Sequence, residues 1–301
     1  MEDELALYLG QRAELIASDY ADLGHLRQHD RKLLAAMDRG ALESPLVQRE
    51  GADEALVATL ETDPEQHALL LEARDHFWPG ELARVQQLLL EREGGKAAAW
   101  WLAAHYASLP CPESFPSAWF SQVWAARALY WRNRADTLPE PWTAWARARS
   151  EGVSAVAVAV ELWQAGEGAL WEHWLPPLLV CCAPKGASSL VNALAPYMTD
   201  EEVIKLMGMS CQSRFVPWLT SLQHDEQLKE TAHREVRWLT GDQEKRHREP
   251  QCWGEAIAQA PWQQLFHTLP LGFRGRLWHW CADAVEGAAT SLQGGQWCAG
   301  H

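Results

Sequence analysis

His224, Asp225 and Glu226, followed by Glu230 and His233, carry side chains able to exchange protons near neutral pH. A hydrolase centre needs a nucleophile or a metal beside such a set. No Ser or Cys stands with these residues in a nucleophile elbow. His233 lacks the second His, four residues away, that a zinc-protease helix requires. Asp225 directly precedes a helical pattern, where an N-cap explains it. His279 and Cys281, with Cys298 and His301, are the soft donors of a tetrahedral zinc site, but their spacing matches no compact knuckle. Cys181 and Cys182 are adjacent and lack the C-x-x-C geometry of a redox pair. No metal and no cofactor is expected.

The acids come in groups. Glu61, Asp63, Glu65 and Glu72, and later Asp200, Glu201 and Glu202, stand near predicted helix starts, where the helix dipole accounts for them. A glycosidase would need two carboxylates facing each other across a cleft. Gly94-Gly95-Lys96 and Gly272-Phe273-Arg274-Gly275-Arg276 lack both the spacing and the preceding strand of a phosphate loop. The basic run Lys245-Arg246-His247-Arg248 sits among Asp242, Glu244 and Glu249 and reads as an exposed loop before Pro250. Such an insertion between repeats projects naturally from a binding face.

Tryptophan is the stronger lead. The chain has 18 Trp against five Tyr and six Phe, which points to wide helix–helix seams or to an aromatic contact face. Neighbours such as Trp100 and Trp101 point about 100° apart on a helix, so one of the two is expected nearer the surface. Interfaces concentrate Trp and Arg. The residues expected to meet a partner are Trp100, Trp101, Arg214, Trp218, Arg234, Trp238 and Arg246.

The elements that position them read as short helices. Leu5, Leu9, Ala13 and Ile16 mark a first helix over 2–18. A second, capped by Asp19 or Asp22, buries Leu23, Leu26, Leu33, Leu34 and Met37 and carries Arg27, Asp30, Arg31 and Lys32 on its back. Asp63-Pro64 is a strong helix start. Helices of two to four turns then alternate with turns as far as Gly241, and pieces this short are stable only against neighbours. The Pro-rich loop Leu109–Pro116 reads as a joint between halves, and Leu138–Trp142 as a second break. Val153–Trp163 alternates like a strand, but no other segment offers it a sheet partner, so it reads as a buried helix. Pro176-Pro177 should disturb the helix over 168–182. Thr199 and Glu202 form a capping box, with Val203, Leu206 and Met207 inward, and a helix over 225–239 stops at Gly241. Gly294-Gly295 and the last residues suggest a frayed tail. The expected organisation is a helical segment over 1–50, repeats over 51–241, and a C-terminal cap over 242–301 behind the charged loop.

The charge of −14 repels nucleic acid and anionic membrane surfaces and suits a basic protein partner. The apolar run over 169–183 is interrupted by Glu172, His173 and two Pro, too short and broken to span a bilayer. Seven scattered Cys fit reduced thiols. The acidic start Met-Glu-Asp-Glu is the opposite of a secretory leader. A cytoplasmic location is expected.

Asp22-Leu23, Leu26, Asp30-Arg31, Leu33, Ala35 and Asp38 resemble the N-terminal signature of an uncharacterised bacterial family of HEAT-like repeat proteins. That signature continues Ala-His-Leu-Asp-Gly, where this chain has Ala36, Met37 and Arg39 at the His, Leu and Gly positions. Ala232–Val236 and Leu239-Thr240-Gly241 are similar to the ends of the family's repeats. The resemblance implies an all-α fold, an α/α superhelix of HEAT-like helical hairpins. Some relatives look to be associated with type VI secretion loci. That implies a non-enzymatic protein-binding scaffold, an immunity or adaptor protein whose partner is a basic effector or secretion component. The alternatives are an enzyme with an acidic/His site between helices, marked by clustered acids and His of perturbed pKa, and a structural homo-oligomer.

Overall fold

The computed structural model describes residues 2–42, 44–48, 53–106, 108–132, 134–150, 154–166, 168–182 and 184–240, together with Phe273, 290–293 and 296–299. The chain is all-α, as expected. Its helices are α1 Glu2–Ala17, α2 Leu23–Asp38, α3 Asp53–Thr62, α4 Pro64–Phe77, α5 Glu81–Leu90, α6 Lys96–His105 and α7 Trp119–Trp131. They continue as α8 Trp142–Ser150, α9 Ala155–Gly166, α10 Trp171–Cys181, α11 Pro184–Leu194, α12 Asp200–Met209, α13 Val216–Leu222 and α14 Lys229–Thr240. No helix among the described residues is long and apolar enough to cross a membrane. Thr290–Gln293 and Gln296–Ala299 pair as antiparallel strands, Gln293 opposite Gln296; of the expected frayed tail, 294–295 and 300–301 lie outside the described residues.

The chain divides into two compact units. One comprises Met1–Leu138 with 270–272 and 288–301; the other comprises Pro139–Leu269 with 273–287. The boundary falls at the second Pro-rich break. The loop at 109–116 is not a joint between halves, because α6 and α7 pack against each other on its two sides. Residues 1–50 do not stand apart either. Leu5 and Leu9 of α1, Leu33 of α2, and Leu69, Leu70 and Ala73 of α4 share one core. The proposed cap at 242–301 falls largely outside the described residues.

Within each unit a helix packs on its neighbour in sequence and on the next but one. In the first unit α3 meets α4 and α5, and α4 meets α5 and α6; in the second α8 meets α9 and α10, and α9 meets α10 and α11. Such repeat-like stacking lets helices of seven to 16 residues bury faces they could not bury alone.

Local chemistry sets the helix starts. Thr199 Oγ1 accepts from the Glu202 amide at 3.3 Å while the Glu202 carboxylate accepts from the Thr199 amide at 2.8 Å. Asp63 Oδ1 accepts from the Gln66 amide at 2.9 Å ahead of Pro64. Asp22 caps α2, with His25 completing a reciprocal box. Asp225 Oδ1 accepts from the Gln227 and Leu228 amides, and the regular helix begins four residues later than expected, at Lys229. In α9 the buried residues are Val158, Ala159, Leu162 and Trp163, a helical period that overrides the alternating Val pattern. α10 runs on through Pro176 and Pro177, whose missing donors fall in its second turn.

Two face assignments change. Arg12 is buried and Ala13 is exposed, because the Arg12 guanidinium turns inward to Asp30, which had been placed on the outer back of α2. On α12 the buried residues are Ile204, Leu206, Gly208 and Met209, with Val203 and Met207 half-buried. The buried Glu235 of α14 lies directly over Gly208, and that close approach sets which face of α12 is covered.

Candidate functional site

Seven residues were expected to meet a partner. Three are core. Trp100 is 2% exposed, Trp101 4% and Trp238 0%, so none offers a surface aromatic. α6 is apolar around nearly its whole circumference and is enclosed by α3, α4, α5 and α7. Trp101 stacks on His105 at 3.8 Å, and both rings approach Trp124 of α7. Trp238 packs on Phe273 at 5.4 Å, and the half-buried Arg234 lies over the same ring at 5.6 Å. These two residues thus form one packed cluster, which explains their spacing on α14. Arg214 and Trp218 do reach the surface. Trp218 is 44% exposed, and the Arg214 guanidinium covers the Phe215 ring at 5.4 Å. Arg246 lies outside the described residues.

The first unit holds a groove of about 1340 Å³ that the sequence reading did not single out. One wall is α5 with the start of α6, contributing Leu90, Lys96, Ala97 and Trp100. The facing wall is the Pro-rich loop, with Pro112, Glu113 and Phe115, continued by Phe120 of α7. Trp100 therefore does line the groove, but from its floor. Phe120, 55% exposed, is the aromatic at the rim.

The loop is held in place by side chains of the helices on either side of it. Gln86 of α5 is buried and donates through Nε2 to the carbonyls of Ala99 at 3.2 Å and Pro110 at 3.0 Å. Arg132 donates through Nη2 to the carbonyls of Tyr106 at 3.2 Å and Leu109 at 2.8 Å. Gln122 Nε2 donates to the carbonyls of Pro116 and Ser117. The stretch that reads as flexible punctuation is a fixed wall. Cys111 within it is half-buried, and burial raises its thiol pKa against the pull of Arg132 and Arg134. It is a protonated side chain of low nucleophilicity.

The first unit also holds a polar cluster. Arg12 donates through Nε and Nη2 to the two Asp30 oxygens, at 3.0 and 3.3 Å. His29 Nδ1 is 3.3 Å from Asp30 Oδ1, and Tyr8 meets the His29 ring edge-on. Burial pushes the Asp30 carboxyl up, although Arg12 and His29 act against it. Tyr106 donates to Glu72 at 3.1 Å; burial, and then Glu72, hold its phenol well above the ordinary value. Glu65 reaches solvent, yet the protein packed around it disfavours its charge. Its carboxyl is raised by that packing and by Asp63, against the pull of Arg127 and Arg12. Arg127 itself is buried and lies 5.2 Å over the Trp124 ring.

His67 and His105 each turn Nδ1 to a backbone carbonyl one turn earlier, those of Asp63 and Trp101. His224 and His233 are exposed on either side of the Asp225 turn. Among the described residues no group of three His, Cys, Asp or Glu side chains is placed to hold a metal.

Compared with known proteins, the chain matches no family model, no curated sequence and no solved structure. The HEAT-like resemblance therefore stands on its quoted residues alone. What the fold defines is a class: an all-α chain of stacked short helices with a preformed groove in its first unit.

Proposed function

We propose that this chain is a cytoplasmic, non-enzymatic binding module that holds a protein partner in the groove between α5, α6 and the Pro-rich loop. The observation that carries this reading is the fixed loop wall. Gln86, Arg132 and Gln122 hold the groove open before any partner arrives, and preorganisation lowers the ordering cost of binding. At about 1340 Å³ the groove exceeds the roughly 300–1,000 Å³ of small-molecule sites. The exposed Phe120 supplies the aromatic anchor that interfaces favour. The test is affinity capture from the producing cell with wild-type chain and with Phe120→Glu. A partner retained by the first and lost by the second supports the reading; equal capture by both removes the groove from it.

The finer reading is an immunity or adaptor protein of a bacterial secretion system. It draws on the family resemblance and on the charge of −14, which favours a basic effector. Co-expression with effectors encoded beside the gene checks it: an immunity protein restores growth to cells making one of them.

A second reading, an enzyme, draws on the polar cluster, where Glu65 and Asp30 both carry raised carboxyl pKa values beside Arg12. Perturbed acids in a cleft mark active sites as well as structural networks. A screen in which turnover of any substrate disappears in Glu65→Gln, with the fold intact, would establish it.

A further inference from the structure

A second, smaller pocket opens in the first unit, and it shares no lining residue with the groove. It holds about 370 Å³, at the low end of the roughly 300–1,000 Å³ of small-molecule sites. Leu5 and Leu9 of α1 line it, with Leu46 of the helical turn Pro45–Val47. α3 contributes Thr59, and α4 contributes Gln66 and His67. An apolar shell with a few polar groups is the usual composition of such sites. Among the described residues that line it, none is Asp, Glu, Lys or Arg, so no opposite charge offsets the desolvation of an ionised ligand.

The polar groups define what the shell can hold. His67 is 9% exposed. Its Nδ1 meets the Asp63 carbonyl at 2.9 Å. A carbonyl only accepts, so Nδ1 carries the proton and Nε2 of the neutral ring is an acceptor. That acceptor has no partner among the described residues. It calls for a donor on the ligand. Ser44 Oγ accepts from the Leu46 amide at 3.3 Å, which leaves its O–H to donate. The Gln66 side-chain amide is also without a partner among the described residues. A hydroxyl answers both needs: its proton goes to Nε2, and its oxygen accepts from Ser44 or Gln66. Size sets the rest. An apolar cavity of about 150 Å³ takes one benzene, so about 370 Å³ takes two fused rings and a hydroxyl.

We infer that this pocket binds a small, neutral, two-ring alcohol or phenol, its rings against Leu5, Leu9 and Leu46 and its hydroxyl donating to His67 Nε2. This site is independent of the protein-binding reading of the groove.

The experiment is isothermal titration calorimetry of the full chain at about pH 8, above the ordinary imidazole range. Three ligands are compared: β-naphthol, its methyl ether, which keeps the rings and loses the donor, and β-naphthoate, which adds a charge. β-Naphthol is expected to bind about tenfold more tightly than the ether, and the carboxylate not to bind. In His67→Phe the preference disappears: β-naphthol falls about tenfold to the level of the ether, whose own affinity is unchanged. A His67 that only shapes the pocket would weaken both alike. Ala6→Trp and Ala55→Trp, at exposed lining positions on α1 and α3, each fill the space and abolish binding. Circular dichroism checks that these variants fold. Phe120→Glu, in the groove, leaves binding unchanged.

Binding of no ligand, tightest binding of the carboxylate, no preference for β-naphthol over its ether, equal weakening of both in His67→Phe, or binding that survives both tryptophan variants overturns the inference. Capture of the native partner by wild type and Phe120→Glu reads the groove alone, so either site can fail without the other.

Discussion

Glu65 is the residue at which the packing of the fold works against a charge. Its folded carboxyl pKa is raised by surrounding protein and by Asp63, so the folded chain holds a proton that the unfolded chain has already released. Stability therefore falls as pH rises through the folded pKa. Glu65→Gln is expected to raise the urea midpoint at pH 7, with the gain closing as pH falls toward the ordinary glutamate value of about 4.3. A lower midpoint at pH 7 would mean that Arg127 and Arg12 hold the charged form after all. Gly208 makes a different residue-scale statement. A Cβ there would collide with the buried Glu235 carboxylate. Gly208→Ala should cost about 2 kcal/mol in urea unfolding. An unchanged midpoint would show that Glu235 can swing aside.

At the scale of elements, the first unit is clamped by guanidinium groups. Arg74 of α4 is fully buried, donates to Glu81 and to the carbonyls of Leu46 and Gln48, and lies over Trp78. Arg84 bridges Glu81 to Asp53 of α3, and Arg92 reaches Glu54 and Glu61. Hydrogen bonds from Arg84, then Arg74, hold the Glu81 carboxyl below its usual range. That stability is present above the unfolded pKa and is lost as pH falls through the folded one. Arg74→Met leaves the buried Glu81 with Arg84 as its one remaining guanidinium partner among the described residues, and should cost about 3–5 kcal/mol by thermal or urea unfolding. A loss below about 1 kcal/mol would mean that Arg84 alone satisfies the carboxylate. The loop wall gives a milder expectation. Gln86→Ala leaves the Ala99 and Pro110 carbonyls without its donor and should cost about 1–2 kcal/mol, while weakening partner binding more than Trp218→Ala does.

These elements also show what was legible in the sequence. Asp22, Asp63-Pro64 and Thr199–Glu202 announce helix starts because a cap acts within four residues. The period of α9 is settled by its neighbours, and its type could be read because no other segment could complete a sheet. Arg12 and Asp30 could not be placed, because each is polar on its own helix and becomes core only through the other. Trp100 and Trp101 were assigned by the angle between them, which says nothing of how many helices surround α6. The groove was hidden for the same reason: it exists because Gln86 and Arg132 reach a loop 24 and 23 residues away.

At the scale of the molecule, if a chain of charge −14 holds the basic protein partner proposed for it, their association is salt-sensitive. Partner affinity is expected to fall several-fold between low and physiological salt, as exposed charges are screened over about 8 Å. Salt-independent binding would assign the interface to apolar contact alone. Duplex DNA is expected to show no retention at physiological salt. The central claim is that a protein partner is held in the α5–α6–loop groove. The most direct measurement of it is site-specific photo-crosslinking in the producing cell, with a benzophenone amino acid placed in turn at Phe120, Trp218 and Tyr20, three exposed aromatic positions. Binding in the groove predicts a discrete protein adduct from position 120 and none from the other two. An adduct from position 218 or 20 with none from 120 would contradict it.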